Sequence, residues 1–284
     1  MSDEVEERRR RVAEAAARAA GAVHLRYRGE RLTREVKRDN PIDYATRADV
    51  ESQAAARDAI LGAFPGEAVI GEEGAGDRAE VERRAEAGCW LIDPLDGTME
   101  YVHGSPVFSA IVSYVKGGET LAAAVYFPVL GELYSAGAGR GATLNGEPVR
   151  VSGQTELRSA IFACAYRSSL PERARLFAAG LAKLLPHIEA FRLPGAPSVG
   201  ACNVARGAFD LFAQTGVPTP EQRRGGFFPA QPWEAAAFVL LVQEAGGAVA
   251  AFNGGPPSVL GLNVYAASEA LLRRFFAVLD EPGA

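Results

Sequence analysis

Hydrophobic positions recur along this chain with two periods. Between residues 4 and 28, Val5, Val12, Ala16, Ala19, Val23 and Tyr27 return every three or four places among Arg and Glu, which predicts an amphipathic helix with the run Arg8 to Arg11 on its wet face. A turn-rich stretch over 37–41 leads into a second helical pattern over 46–64, closed by Pro65-Gly66, and then a short strand at 68–70. Residues 107–134 alternate strand and turn as an antiparallel meander, and Asn145-Gly146 predicts a two-residue type I′ hairpin. After Ser152-Gly153 the pattern restarts: strand 160–165, helix 171–185, a short strand near Phe191, helix 198–206, strand 210–213, a Pro- and Gly-rich segment 216–232, helix 233–245, short strands, and helix 268–279. Mixed hairpin and crossover connections predict an α/β (α+β) fold in two linked halves, 1–153 and 154–284.

Composition narrows the class. The 284 residues are 48% hydrophobic and carry a net charge of -5, enough for a sizeable core and unfavourable for binding a nucleic acid polymer or an acidic membrane through a basic face. The longest apolar run, 235–242, is far short of the ~18 residues of a membrane span, and the Glu/Arg-rich start has no signal-peptide core, so a cytoplasmic protein is expected. Cys89, Cys164 and Cys202 are odd in number and far apart, a pattern that suits a reducing compartment. His24, His103 and His187 lack the spacing that sets two imidazoles on one helix face for zinc. "GAGRGA" at 137–142 lies among hairpins, not between a strand and a helix, which argues against a dinucleotide loop.

The chemistry concentrates at "WLIDPLDGT", residues 90–98, where an apolar run ends in Asp93 and Asp96. Two ionised carboxylates held close repel each other, and desolvation would raise one pKa unless a cation lies between them. Hard oxygen ligands of this kind select Mg²⁺, Mn²⁺ or Ca²⁺ over zinc. Gly97 lets backbone approach a ligand, and Thr98 can open a short helix whose free amides face an anion. A lone DxxD is also what an Asp-rich turn with Asx caps looks like. Further carboxylates nevertheless stand at element ends: Asp49, Glu72-Glu73 and Glu234.

With "IDYATRAD", "GEEG", "GRGATLNGEPV", "GACNVARGAFD" and "PWEAAAFVLLVQEAGG" in the same order, the chain resembles the inositol monophosphatase family of lithium-sensitive, Mg²⁺-dependent phosphatases, over at least residues 37–247. The resemblance implies a layered αβαβα sandwich of the sugar-phosphatase type with mixed sheets, a homodimer, and two or three Mg²⁺ ions, with Mn²⁺ as a substitute. It implies metal ligands at Glu72, Asp93, the Leu95 carbonyl, Asp96 and Glu234. Thr98 paired with Asp49 would hold the attacking water, with Glu72 also in the catalytic set. Asp96, Gly97, Thr98, Gly195, Ala196 and Gln214 would meet the substrate, a small phosphate ester. Three positions depart from the family: Glu234 stands where it has Asp, Gln214 where inositol phosphatases have Glu, and Ala196 where a small hydroxyl residue is common. Glu100 in "DPLDGTMEY" is closer to the phosphoadenosine phosphatases, whereas "VHGSPVF" is closer to the inositol enzymes. The implied function is hydrolysis of a small polyol, sugar, nucleotide or specialised-metabolite monophosphate by metal-activated water. A 3′-phosphoadenosine-type nucleotide phosphatase and a catalytically impaired metal- or phosphate-binding homologue stay open as alternatives. The segment 216–232, with Arg223, Arg224, Phe227 and Phe228, reads as a surface insertion or as a lid over the site.

Overall fold

A computed structural model describes residues 3–37, 40–166, 171–214, 231–251, 254–255, 257 and 264–281. Two helices, α1 (Asp3–Tyr27) and α2 (Arg47–Ala63), pack against each other and on one face of a seven-stranded sheet. Its strands lie in chain order: β3 (Ala68–Gly71), β4 (Cys89–Asp96), β5 (Ser109–Lys116), β6 (Glu119–Phe127), β7 (Glu132–Gly137), β8 (Ala142–Leu144) and β9 (Glu147–Val149). Only β3 and β4 pair in parallel, joined through α3 (Arg78–Ala87), and the rest is the meander that alternation predicted. Asn145 and Gly146 both take positive φ, 52° and 87°, as a type I′ turn demands.

The second sheet runs β11-β10-β12-β14-β13, formed by β10 (Ile161–Cys164), β11 (Ala190–Arg192), β12 (Leu211–Ala213), β13 (Ala248–Ala250) and β14 (Tyr265–Ala267). Helices α5 (Pro171–Leu184) and α8 (Glu269–Asp280) cover its outer side. Between the two sheets lie α6 (Pro197–Ala205) and α7 (Pro232–Glu244), so the layers run α, β, α, β, α. Every residue of α7 from Ala235 to Val242 is buried, as expected of a helix apolar on all sides. Its alanines let both sheets approach, and the largest hydrophobic cluster of the protein forms around it. No described helix is long and apolar enough to cross a membrane.

Three local readings differ from the pattern-based expectation. The strands on either side of the turn-rich stretch 37–41 were not expected: β1 (Glu35–Lys37) and β2 (Asn40–Ala45) pair antiparallel, Lys37 opposite Asn40, with an irregularity at Val36/Lys37. Helix α3 was not legible, because "RAEVERRAEA" buries only Val81 and Ala85 and carries no apolar stripe. Arg9, in the run assigned to the wet face of α1, is 6% exposed. Its guanidinium grips both carboxylate oxygens of Glu67 at 2.8 Å and lies 3.5 Å from the centre of the Tyr114 ring, while Trp90 Nε1 donates to Glu67 at 2.7 Å. Removing one partner of a mostly buried pair leaves a charge stranded. Glu67→Ala is therefore expected to cost about 2 kcal/mol, discounted from the fully buried case because Glu67 is partly exposed. A lowered urea midpoint with an unchanged slope checks this.

Candidate active site

The two aspartates of DPLD owe their shared orientation to a bulge. In a regular strand, residues three apart point to opposite faces. Here Asp93 pairs with Ile111 and Asp96 with Ser109, so three steps on β4 match two on β5. The extra residue brings both carboxylates to one side, and Pro94, which has no amide hydrogen for the ladder, occupies the irregular stretch. The bulge is tied down from behind. The Pro94 carbonyl lies 2.8 Å from His24 Nε2 and accepts from Ser52 Oγ at 3.3 Å, while the Leu95 amide donates to Asp93 Oδ1 at 3.1 Å. Beyond Asp96, Gly97 takes φ 86° and caps the short helix α4 (Thr98–Val102). A side chain at Gly97 would be strained and would press on Ala196, 2.9 Å from the added Cβ.

Other elements complete the cluster. Helix α7 presents Glu234 in its first turn, and one oxygen each of Asp93, Asp96 and Glu234 lie within 4.8 Å of one another. The added methylene of Glu234 therefore does not take its carboxylate away from the aspartates. Glu72, just after β3, lines the same cavity, but its Oε1 accepts from Lys37 Nζ at 2.9 Å; the same ammonium reaches Glu73 Oε1 at 2.5 Å. Asp49, 1% exposed, closes the capping box of α2 by accepting from the amide and hydroxyl of Thr46, both at 2.7 Å, and its other oxygen accepts from Thr98 Oγ at 2.9 Å. Thr98 Oγ is also 3.0 Å from the Leu95 carbonyl, so one proton serves two acceptors. The Ser198 amide, at the start of α6, donates to Asp96 Oδ2 at 2.9 Å and ties the far side of the site to the DPLD bulge.

Electrostatics confirm that these carboxylates are held at a cost. Burial, with Glu72, Asp96 and Glu234 nearby, pushes Asp93 well above the usual carboxylate range. Burial pushes Asp96 up to about 7 against the opposing hydrogen bonds from Ser198, and burial also raises Asp49 despite the hydrogen bonds from Thr46 and Thr98. Such a set cannot stay fully ionised unaided, and a divalent cation bound by hard oxygens is the group that would relieve it. Asp93, Asp96 and Glu234 fit a Mg²⁺ or Mn²⁺ ion.

All the residues expected at the site except Asp49 line one cavity of about 230 Å³: Glu72, Asp93, Leu95, Asp96, Gly97, Thr98, Gly195, Ala196, Gln214 and Glu234. Asp49 reaches it through Thr98. Pattern reading missed Lys37, Tyr166, Ser198 and Gln231. Of these only Ser198, following Pro197 at a helix start, carried a local signal. The amides of Gly139 and Gly141 in "GAGRGA" both donate, at 2.7 Å, to the Glu244 carboxylate, so that loop already holds an internal anion. The lid reading of 216–232 falls outside the described residues, apart from Gln231 and Pro232.

The chain as a whole has clear counterparts among known proteins. The profile of the inositol monophosphatase family matches residues 5–281. The chain belongs to the inositol monophosphatase family. It is 30% identical over 236 residues to the fructose-1,6-bisphosphatase/inositol-1-monophosphatase of Aquifex aeolicus, covering 83% of each chain. It is 32% identical over 243 residues to the Nus factor SuhB of Pseudomonas aeruginosa, covering 84% of this chain and 83% of that one. The Thermotoga maritima IMPase structure superposes with a TM-score of 0.78 at 27% identity, over 94% of each chain. Like other inositol monophosphatase family enzymes, the protein is a phosphoric monoester hydrolase.

Proposed function

We propose that the chain is a Mg²⁺-dependent phosphatase that releases inorganic phosphate from a small polyol, sugar or nucleotide monophosphate. The observation that carries this is the convergence of Asp93, Asp96 and Glu234 oxygens within 4.8 Å at the floor of a cavity whose wall is Gly97 and Thr98. Phosphoryl transfer asks little covalent help of the protein; it asks for positioning and for charge where the equatorial and leaving oxygens develop it. Asp93, Asp96 and Glu234 would hold the metal, with Glu72 and the Leu95 carbonyl at its edge. When bound, the metal supplies Lewis-acid polarisation of the phosphate and a lowered water pKa. Thr98 Oγ, fixed by Asp49, orients the water, and Asp49 is the acceptor to which its proton can pass through the Thr98 hydroxyl. The amides of Gly97 and Thr98 face the phosphate oxygens.

The cytoplasmic expectation rests on the odd number and wide spacing of the cysteines, none of which is paired: Cys89, Cys164 and Cys202 are all free and buried. The homodimer expectation rests on the family alone. The test of function is phosphate release with Mg²⁺ or Mn²⁺ across inositol phosphates, fructose 1,6-bisphosphate, histidinol phosphate, AMP, phosphoadenosine phosphate and aminosugar phosphates. Turnover of at least one ester, lost on chelation, is expected. No turnover of any of them at several metal concentrations would leave a binding protein on the same scaffold.

A further inference from the structure

The carboxylate of Asp93 is aimed by a single backbone amide. Asp93 is 1% exposed, and among the described residues it accepts one hydrogen bond, from the Leu95 amide at 3.1 Å. Its neighbours are held from other elements: Asp96 accepts from the Ser198 amide, and Asp49 from Thr46 and Thr98. The aim of Asp93 is therefore only as good as the orientation of the Pro94–Leu95 peptide that carries its one donor. That peptide is trans, so its carbonyl and its amide point in opposite directions within one rigid plane. Fixing the Pro94 oxygen fixes the Leu95 hydrogen.

The Pro94 oxygen is held from α1. His24 Nε2 lies 2.8 Å from it, and because a carbonyl only accepts, Nε2 carries the proton. Ser52 Oγ is the weaker second donor at 3.3 Å, since it stands closer to the Asp49 carbonyl, at 3.0 Å. The His24 ring is fully buried beside Tyr101 and Phe108, at centroid distances of 6.0 and 5.6 Å, and its Nδ1 has no hydrogen-bond partner. Packing alone does not ask for such a residue: an aliphatic side chain would fill the same box without stranding a nitrogen. What the imidazole adds there is the hydrogen bond to Pro94.

We propose that His24 is a positioning residue for the metal: through the Pro94–Leu95 peptide it keeps one Asp93 oxygen on the backbone and leaves the other for the ion. The link is two hydrogen bonds in series, from His24 Nε2 to the Pro94 oxygen and from the Leu95 amide to Asp93 Oδ1, each polarising the next. It puts support for the ion on α1, a helix that carries none of the ligands. Groups that orient a metal ligand from behind change metal affinity by roughly ten- to a hundredfold when removed. The inference rests on the metal-dependent reading above and adds to it a residue that touches neither ion nor ester.

The test measures Mn²⁺ affinity by calorimetry, with no ester present, in the unaltered protein, in His24→Leu and in His24→Gln, whose side-chain amide can still donate. In His24→Leu the Kd for Mn²⁺ should rise about tenfold or more, while KM for a hydrolysed ester at saturating metal stays within about twofold. The Mg²⁺ needed for half-maximal phosphate release should rise in proportion to that Kd. His24→Gln should recover a large part of the loss. A folded His24→Leu that binds Mn²⁺ like the parent overturns the proposal, and a lowered melting temperature with unchanged Kd makes His24 a core residue only. Equal losses in the Leu and Gln variants overturn it as well. One arm needs no variant: in the nitrogen–proton NMR spectrum of the unaltered protein, the slowly exchanging buried imidazole should carry its proton on Nε2, and the Nδ1-protonated tautomer overturns the proposal. Absence of Mn²⁺ binding by the unaltered protein would sink the metal-dependent reading itself, a result distinct from ion binding that ignores position 24.

Discussion

Asp96→Asn is expected to lower kcat/KM for phosphate release by roughly a thousandfold or more while leaving the fold as stable as before. The amide has the shape of the carboxylate, and its oxygen can still accept from the Ser198 amide that now bonds Asp96 Oδ2 at 2.9 Å. What disappears is the charge at the centre of the Asp93, Asp96 and Glu234 trio. That charge is carried at a cost, since burial pushes Asp96 up to about 7. The metal-free variant should therefore melt no lower than the parent at pH 8, and this separates loss of chemistry from loss of structure. Phosphate release and circular-dichroism melting, measured on the same samples, check both halves. More than about a tenth of parental turnover would contradict the role given to Asp96.

The second large effect is a pH-dependent stabilisation by metal. A carboxylate whose folded pKa lies above its unfolded value binds a proton more tightly when folded, so its ionisation weakens the fold as pH rises. For Asp96 that window runs from about 4 to about 7, and Asp93 and Asp49 act in the same direction. His24 opposes them. Burial lowers it to about 4, so its contribution is complete above 6.5 and is lost as pH falls from there towards 4. The metal-free protein should then show a flattened dependence on pH, because the two trends overlap. Saturating Mg²⁺ cancels the carboxylate part and leaves His24 untouched. The rise in melting temperature on adding Mg²⁺ should be larger at pH 8 than at pH 5, by roughly 5 °C for a few kcal/mol in a chain of this size. An equal rise at both pH values would show that the buried aspartates do not carry the metal.

Much of this was legible from the chain, for reasons that can be named. The strand leading into Asp93, the type I′ turn at Asn145-Gly146 and the all-apolar helix carrying Glu234 each rest on local rules: strand punctuation, positive φ and an unbroken hydrophobic surface; the bulge that keeps Asp96 in that strand was not among the expectations. Helix α3 escaped because its burial is confined to Val81 and Ala85 on a charged segment. Arg9 was misplaced because the partners that bury it, Glu67, Trp90 and Tyr114, lie on strands and loops far along the chain. The same limit hid the Lys37 clasp on Glu72 and Glu73 and the bond from Ser198 to Asp96. Residue types at the site could be named in advance, but the cation nearest Glu72 and the bond from Gln214 to Glu234 belong to tertiary structure.

Helix α7, shared between both sheets, has a consequence for biogenesis. The trio draws two members from β4 and the third from a helix near the end of the chain, so no segment emerging early from a ribosome holds all three. Closing that long loop is entropically slow and must await the later sheet. Divalent-ion capture would then mark the completed chain, and nascent intermediates would be spared from trapping ions while half built.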